Sequence, residues 1–336
     1  MKIGSFDTRE KVLVVAEVGN NHEGSYALAE EMVGRAAEAG AGAVKFQTFR
    51  TEHYVSASDE ARFKRLKSFE LKPADFEKLA AVARRAGILF ISTPFDLQSA
   101  EVLAPLVDAY KISSSDNTFY PLMEKVAKVG KPVIVSCGLS GMEEVVHSAS
   151  YLRRVWREAG ISQDLAVLHC VSAYPVPPED ASLLSIRALR KALPDTIGYS
   201  DHTLGVEAAL LAVTLGAEII EKHFTLDKNQ SDFRDHKISS DPVELRQLVD
   251  GIVRVRTLLG KRGKEVQASE KGGLTAMRRS IVAAQDMAAG ETITWDKITW
   301  TRPAGGLPPG RETSLLGEKL RAAVKAGDKL GLESLA

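Results

Sequence analysis

The sequence predicts a TIM-type (β/α)8 barrel followed by a small C-terminal β-rich domain. Short apolar, β-branched runs alternate with segments of helical periodicity, a pattern typical of a parallel sheet. Eight such runs occur: Val12–Gly19, Ala43–Phe49, Ile88–Phe95, Ala109–Ser115, Val133–Leu139, Ala166–Pro175, Thr196–His202 and Ile219–Leu226. Residues 17–24, at and just beyond the end of the first run, contain no GxGxxG phosphate turn, so the pattern favours a closed barrel over an open doubly wound sheet.

The segments between the runs carry helix signals. Tyr26–Ala39 places Leu28, Met32 and Ala36 on one face. Pro73–Ala86 begins with a proline suited to a first helical turn and is followed directly by glycine. These segments are the expected outer helices of the barrel.

The pattern changes near residue 260, where an apolar helical stripe ends at a glycine. We predict a catalytic barrel over residues 1–260, a polar linker over 261–276 and a small domain over 277–336. Within the last, Ala288–Ile293 is echoed by Lys325–Leu330, which indicates a pseudo-symmetric arrangement of short strands and turns.

The composition excludes several classes of protein. Lysine plus arginine equals aspartate plus glutamate at 44 each in 336 residues, without the basic excess typical of nucleic-acid binders. No apolar run reaches the ~18 residues that a membrane span needs. The N-terminus lacks the apolar core of a signal peptide, and Cys137 and Cys170 lie inside apolar runs. We therefore expect a cytoplasmic protein that binds neither nucleic acid nor membranes.

Polar residues occupy the ends of the runs, although barrel strands are usually apolar. They are Glu17, Lys45, Gln47, Thr93, Asp96, Lys111, Ser113, Ser114, Ser115, Asp116, Ser136, His169, Ser172, Tyr174, Ser200, Asp201, His202, Glu221, Lys222 and His223. Active sites of such barrels form at the carboxyl ends of the strands. Burying so many charges without a ligand is costly, so the set predicts a binding site, with some members paired as salt bridges.

Two lysines in a barrel mouth indicate an anionic ligand such as a phosphate or a carboxylate. Lys45 and Lys111 are these lysines, and they can also pair with Glu17, Asp116 or Glu221. Either Lys111 or Lys222 is in addition a candidate Schiff-base amine, provided that burial depresses its pKa.

Two histidines, His202 and His223, end neighbouring runs. Adjacent strands lie about 4.8 Å apart, so both imidazoles could reach one metal ion and leave positions open for water or substrate. The alternative is a pair of hydrogen-bonded histidines at the rim. His236 is a further rim candidate, whereas His22 and His169 are expected to be structural.

The motifs then resemble those of a known family. Ala16–Gly24, Lys45–Thr48, Ser92–Asp96, Lys111–Asp116, Tyr174–Pro175, Gly198–Thr203 and Glu221–Asp227 resemble sialic acid synthases in order and spacing, and Ser269–Lys271 with Arg278–Ala283 resembles their antifreeze-like SAF domain. These enzymes condense phosphoenolpyruvate with an N-acylated mannosamine-type aldose to a nonulosonic acid plus phosphate. The resemblance implies a barrel with a SAF cap in a domain-swapped homodimer.

The resemblance also implies roles for individual residues. His202 and His223 would hold a divalent metal, manganese, with magnesium and cobalt as alternatives. Phosphoenolpyruvate would be held by Lys45, Lys111, Ser114, Ser136 and Ser200. The sugar or the reacting carbons would face Glu17, Gln47, Asp116, Tyr174 and Asp235, with Arg302 reading the N-acyl group. Thr93, Ser172 and Glu221 complete the expected substrate-binding set, and either Glu17 or Asp116 would act as base.

The chain departs from the family pattern at Ser136–Leu139, Cys170–Ser172, Phe233–His236 and Arg302–Ala304. The acceptor could therefore be N-acetylmannosamine, a diacetamido hexose or a phosphorylated sugar, and Arg234 is either a contact to such a sugar or a solvated loop residue. Octulosonate and heptulosonate synthases are alternatives, but they usually lack the C-terminal cap. A non-catalytic sugar-binding relative is disfavoured because both lysines, both histidines and Glu17 are present.

Overall fold

The computed structural model describes residues 1–261 and 263–336; Arg262, in the predicted linker, lies outside the described residues. They form two compact units, Met1–Gly260 and Lys261–Ala336. The strands are β1 Lys2–Ile3, β2 Phe6–Asp7, β3 Leu13–Gly19, β4 Ala43–Thr48, β5 Leu89–Pro94, β6 Ala109–Ile112, β7 Val133–Ser136, β8 Leu165–Cys170, β9 Thr196–Asp201, β10 Ile219–His223, β11 Ser280–Ala283 and β12 Ile298–Thr301. The helices are α1 Tyr26–Glu38, α2 Thr51–Tyr54, α3 Glu60–Phe69, α4 Pro73–Arg85, α5 Leu97–Leu103, α6 Tyr120–Lys128, α7 Met142–Glu158, α8 Ser185–Ala192, α9 Glu207–Thr214, α10 Asp235–Ile238, α11 Pro242–Leu259 and α12 Leu274–Met277.

The first unit is a closed barrel of parallel strands in the order β10-β3-β4-β5-β6-β7-β8-β9. Each of the eight predicted runs coincides with one barrel strand, although β8 begins one residue before its run, so the predicted fold is confirmed. The hairpin β1–β2 covers the amino end of the barrel, where the Met1 ammonium donates to Thr196 Oγ1 at 3.1 Å. In the part of the chain that the structure describes, no helix is long and apolar enough to span a membrane.

Side chains that point into the barrel change character along each strand. Near the amino ends they form an apolar cluster, which includes Leu13, Val15 and Ile219. Strand residues alternate between the two faces, so Glu17 and Glu221 continue the same inward rows at the carboxyl ends. Register places Glu17 beside Lys45 and His223. The inward polar residues therefore gather in one layer at the mouth.

Two of the polar strand residues face the opposite way. Lys222 Nζ lies 2.9 Å from Asp201 Oδ2, and both side chains are almost fully buried outside the barrel lumen. Lys222 also donates to the carbonyl of Thr203. This pair ties β9 to β10, which gives Asp201 and Lys222 a structural role and leaves Lys222 no free amine for covalent chemistry.

The second unit is built around the antiparallel pair β11–β12 and an apolar core that includes Ile281 and Leu330. The two echoed segments form the same turn. Glu291 accepts from the backbone N–H of residue 288, and Asp328 accepts from that of residue 325. A glycine with positive φ precedes each acid, as such a turn requires. The repeated sequence thus encodes a repeated local structure.

The buried imidazole of His22 is expected to make stability depend on pH. Its Nδ1 accepts from the N–H of Gly24 at 3.0 Å, and burial lowers its pKa from 6.5 to about 4. The unfolded chain takes up the proton first, so the contribution is complete above the unfolded pKa and is lost as pH falls from 6.5 toward 4. We expect His22 to account for about 3 kcal/mol of that loss.

Urea unfolding between pH 4 and 7 measures this effect. His22→Asn keeps an acceptor near the Nδ1 position and should flatten the dependence of the unfolding free energy on pH. His53→Asn, at an exposed position of α2, is the matched control and should leave the slope unchanged. An equal slope in wild type and His22→Asn would contradict the assignment.

Candidate active site

A cavity of about 710 Å³ opens at the carboxyl ends of the barrel strands. Its lining includes every predicted site residue except Asp116 and Arg302: Glu17, Lys45, Gln47, Thr93, Lys111, Ser114, Ser136, Ser172, Tyr174, Ser200, His202, Glu221, His223 and Asp235. Its volume falls within the range of about 300–1,000 Å³ usual for small-molecule sites. The strand ends thus bring together residues that lie far apart in the sequence.

The two exceptions lie elsewhere. Asp116 accepts a hydrogen bond from Ser113 Oγ at 2.7 Å, and burial raises the pKa of Asp116. It is not among the described residues that line the cavity. Arg302 belongs to the second unit, where its exposed side chain donates to the carbonyl of Met277 at 2.7 Å. The roles that the resemblance implies for both residues remain predictions.

Four buried charges form the floor of the cavity. Lys45 Nζ lies 3.1 Å from Glu17 Oε2 and 3.2 Å from Glu221 Oε1. Lys111 Nζ lies 3.8 Å from the same oxygen of Glu221. The pairing anticipated from the sequence is therefore present. The charges of the two lysines and the two carboxylates balance. The floor can therefore accept an anion when one carboxylate is displaced or becomes protonated.

The protonation of these groups follows from burial and from their neighbours. Burial opposes the charge on Lys45, but Glu17 and Glu221 outweigh it and raise its pKa. Burial lowers the pKa of Lys111, which has only one close carboxylate. Burial raises the pKa of Glu17, whereas both lysines overcome the same effect at Glu221 and lower its pKa. Glu17 is thus the more readily protonated carboxylate, a property suited to a group that exchanges protons.

Serine hydroxyls line the same cavity as Lys111. Ser114 Oγ accepts from the N–H of Gly138 at 3.0 Å. The buried hydroxyls of Ser136 and Ser172 have no hydrogen-bond partner among residues 1–261 and 263–336. An unsatisfied buried hydroxyl costs about 1–3 kcal/mol, so such groups commonly serve a ligand. Together with the lysine they suit the oxygens of a phosphate.

Gly138 is expected to be essential for this arrangement. An added Cβ there would lie 2.5 Å from Ser172 Oγ and 2.7 Å from Ser114 Oγ, which forces both hydroxyls to move. We expect Gly138→Ala to raise the KM for the anionic substrate at least about tenfold, because the displaced hydroxyls can no longer be oriented toward the anion. Steady-state kinetics check this value. Gly141→Ala, where no atom lies within 4 Å of the new Cβ, should behave as wild type; equal KM values in the two variants would refute the argument.

The two histidines fit a shared metal ion. Their ring centroids are 5.3 Å apart. His202 Nδ1 donates to the carbonyl of Val171 at 2.8 Å, which leaves Nε2 as a free donor to metal and is the usual outer-sphere support of such a ligand. The Nδ1 of His223 is buried and has no hydrogen-bond partner in the described part of the chain, although Asp235 Oδ2 lies 3.9 Å away. No set of three or more His, Cys, Asp or Glu side chains within that part is arranged to hold a metal, so water or substrate oxygens would complete the coordination.

Two further histidines near the carboxyl end of the barrel, His169 and His236, have structural contacts, as predicted for His169. His169 bonds the carbonyl of Ala181 at 2.9 Å. His236, considered above for the rim, is fully buried and lies 2.9 Å from Glu23 Oε1 and 2.7 Å from Thr225 Oγ1. It fixes α10 against the loop after β3.

The side of the cavity near the imidazoles carries groups suited to a polyhydroxy ligand. Gln47 donates to Glu17 Oε1 at 3.1 Å and accepts from Asn20 at 2.9 Å. The Tyr174 ring packs against His202 with centroids 4.2 Å apart. The Arg234 guanidinium lies over the same ring, 4.7 Å from its centroid. Amide, phenol and guanidinium groups can all bond sugar hydroxyls.

Sequence reasoning missed several cavity residues, namely Asn20, Tyr54, Asp59, Arg62, Arg65, Asp232 and Phe233. Most lie on α2, α3 or the segment before α10, outside the strand ends that the barrel pattern singles out. The one available signal was Asp59, whose carboxylate accepts from the N–H of Arg62 as a helix N-cap. That signal marks a helix but not its position over the mouth.

The fold and the site define a class: barrel proteins whose mouth joins buried lysines to an imidazole pair. The chain belongs to the NeuB family, whose model matches residues 32–264, and a SAF domain matches residues 278–335. The predicted family is thus confirmed.

Similar proteins extend over nearly the whole chain. An uncharacterized protein of Methanocaldococcus jannaschii is 41% identical over 93% of this chain and 91% of its own length. The N,N'-diacetyllegionaminic acid synthase of Campylobacter jejuni is 35% identical over 92% and 96%, respectively. Among solved structures, the N-acetylneuraminic acid synthetase of Leptospira borgpetersenii superposes with a TM-score of 0.75 at 36% identity, covering 81% of this chain and 94% of that one.

Proposed function

We propose that the protein condenses phosphoenolpyruvate with an N-acylated mannosamine-type aldose to give a nonulosonic acid and phosphate. The observation that carries this proposal is the sharing of one cavity by a lysine–serine anion site and an imidazole pair. Membership of the NeuB family and the similarity to a legionaminic acid synthase support it. The chemistry needs both halves, because one substrate is a phosphate ester and the other an aldehyde.

Phosphoenolpyruvate would lie on the floor of the cavity. Lys111 and the hydroxyls of Ser114 and Ser136 would hold its phosphate, and Lys45 would hold its carboxylate. The depressed pKa of Lys111 would rise again beside a phosphate dianion, because an adjacent negative charge favours the ammonium form. Phosphoenolpyruvate binding would therefore stabilise the ammonium form of this lysine.

The reaction balances as the two substrates plus water giving the nonulosonate and inorganic phosphate. The methylene carbon of phosphoenolpyruvate attacks the aldehyde carbon, whose oxygen takes a proton. Water adds to the resulting cationic carbon, and the C–O bond to phosphate then breaks. Glu17 is the candidate base for the water, because it lines the cavity and Asp116 does not.

A divalent metal on His202 and His223, for which we propose manganese, would polarise the aldehyde as a Lewis acid. The chain's own contribution is to hold the His202 ring in place. Val171 fixes the His202 tautomer through its carbonyl, and the Tyr174 ring packs against the same imidazole.

Turnover in ¹⁸O-water tests the reaction type. Cleavage of the C–O bond leaves the released phosphate unlabelled, and mass spectrometry of that phosphate is the readout. We expect no label in phosphate and phosphate release only when an aldose is present. Labelled phosphate would instead identify a phosphatase, which cleaves the P–O bond.

A Schiff-base aldolase is the second candidate, favoured by the burial that lowers the pKa of Lys111. The Lys111 amine donates to the carbonyl of Ile112 at 3.2 Å and lies near a carboxylate that could shuttle protons. Borohydride reduction in the presence of pyruvate separates the two functions. A pyruvate-derived mass on Lys111 would favour the aldolase, whereas an unmodified peptide agrees with the synthase.

A further inference from the structure

Three arginines line the outer part of the active-site cavity, away from the buried lysines. Arg62 and Arg65 lie on α3, and Arg234 directly precedes α10. All three are exposed at the mouth. The guanidinium groups of Arg62 and Arg65 form no salt bridge with the described residues, whereas Arg234 Nε lies 3.3 Å from Asp235 Oδ1. Arginine offers five donors in a fixed fork that matches phosphate and carboxylate oxygens.

An aromatic cluster holds the two arginine-bearing segments in place. Phe69, at the end of α3, packs edge-on against Phe233 with centroids 5.3 Å apart. Tyr54 stacks on Phe95 at 4.3 Å, and the Arg62 guanidinium lies 5.8 Å from the Tyr54 ring centroid. These contacts fix α3 against the loop of Arg234, so the arginines are supported by packed side chains rather than by free loops.

The arrangement also sets an order from the centre of the site outward. The Tyr174 ring lies 4.2 Å from the His202 ring, and Arg234 lies 4.7 Å from the Tyr174 ring. Tyr174 is therefore in contact with both His202 and Arg234, and it links the exposed guanidinium to the buried imidazole. If an aldehyde is held at the imidazoles, the remote end of an extended sugar points toward the arginines.

Acidic residues share this part of the cavity and limit what the arginines can bind. Asp59 and Asp232 line it, and Asp235 pairs with Arg234. Asp59 is engaged as the N-cap of α3, since its Oδ1 accepts from the backbone of Arg62 at 3.3 Å. The guanidinium groups of Arg62 and Arg65 thus remain available as hydrogen-bond donors. The nearby carboxylates would repel further anions. Such an arrangement suits one compact anionic group.

We propose that Arg62, Arg65 and Arg234 form an outer anion subsite that recognises a phosphate or carboxylate at the end of the acceptor sugar remote from its aldehyde. This inference rests on the proposed function and names the class of acceptor. A phosphate ester and a uronate both present negatively charged oxygen atoms that guanidinium groups can bind. A neutral sugar would leave the arginines without a partner.

Competition between acceptors tests the subsite. Rates of product formation are measured with N-acetylmannosamine, its 6-phosphate and N-acetylmannosaminuronate at saturating phosphoenolpyruvate. We expect wild type to show a kcat/KM at least about tenfold higher for one of the anionic sugars than for the neutral one, as charge-assisted hydrogen bonds imply. The anionic sugar that wins identifies the source of the charge.

Variants assign the preference to the arginines. Arg62→Gln with Arg65→Gln, and separately Arg234→Gln, should lower the ratio of anionic to neutral kcat/KM at least about tenfold. Lys64→Gln is the matched control, because Lys64 is an exposed cation of the same helix outside the cavity lining, and it should keep the wild-type ratio. Circular dichroism confirms that each variant is folded.

The outcomes separate this inference from the proposed function. Turnover of the neutral sugar at a rate equal to or above the anionic ones would overturn the subsite and leave the synthase intact. A ratio unchanged in the arginine variants would also overturn it. Phosphate release with no sugar at all would overturn both proposals.

Discussion

Replacing Lys111 with methionine is expected to lower kcat/KM for phosphoenolpyruvate at least about a thousandfold, because one cation of the anion site is lost. Lys111 is almost fully buried and lies 3.8 Å from Glu221. Without it, Lys45 alone faces two carboxylates, and the floor of the cavity carries a net negative charge that repels phosphate. Methionine matches the length of the lysine stem, so packing is largely retained.

Phosphate release in steady state measures this loss, and thermal unfolding by circular dichroism shows whether the variant is folded. Lys128→Met is the matched control: Lys128 is an exposed residue of α6 that pairs with Glu124 on the surface. Surface pairs contribute little, so this variant should keep wild-type kinetics. A folded Lys111→Met protein with activity within tenfold of wild type would show that the anion lies elsewhere.

Removal of either imidazole is expected to abolish metal-dependent turnover, with a fall of at least about a thousandfold in kcat. His202→Ala and His223→Ala each remove one of the two ring donors that line the cavity. With one nitrogen left, and with no other group of His, Cys, Asp or Glu in the described residues able to hold an ion, the affinity for metal should collapse as well.

Equilibrium dialysis against Mn²⁺ with elemental analysis measures that affinity directly, independently of activity. His147→Ala serves as the control, since His147 lies on the exposed face of α7 and packs edge-on against Tyr120. It should bind metal as wild type does. Undiminished Mn²⁺ binding in His202→Ala and His223→Ala would contradict the assignment of these histidines as metal ligands.

The barrel and most of its mouth could be predicted because strand geometry links sequence to position. Inward residues recur with a period of two, so apolar Val15 and polar Glu17 in one strand already predict an apolar layer inside the barrel and a polar layer at its mouth. The same period separates Lys222 from its neighbours Glu221 and His223. Strand alternation therefore predicts that Lys222 points away from the lumen while Glu221 and His223 point into it. The buried pair of Lys222 with Asp201 agrees with this prediction.

Contacts between distant segments could not be predicted in this way. Residues 50–72 carry many charges and no clear apolar stripe, so neither α2 nor α3 stood out. Their place over the mouth depends on Phe69 meeting Phe233, more than 160 positions later in the chain, and on the close approach of Gly24 to the backbone of Ser68. Asp116 shows the reverse case: it lies beyond the end of β6, in a turn where strand alternation no longer applies.

The most direct test of the account is acceptor-dependent phosphate release from phosphoenolpyruvate by metal-stripped protein resupplied with Mn²⁺. The acceptor panel comprises N-acetylmannosamine, its 6-phosphate, N-acetylmannosaminuronate, a diacetamido hexose and arabinose 5-phosphate, with product mass recorded. The account predicts release with an N-acylated hexose, a product whose mass equals the sugar plus pyruvate, and no release without metal. Release with arabinose 5-phosphate alone, or none with any sugar in a protein that binds phosphoenolpyruvate, would contradict it.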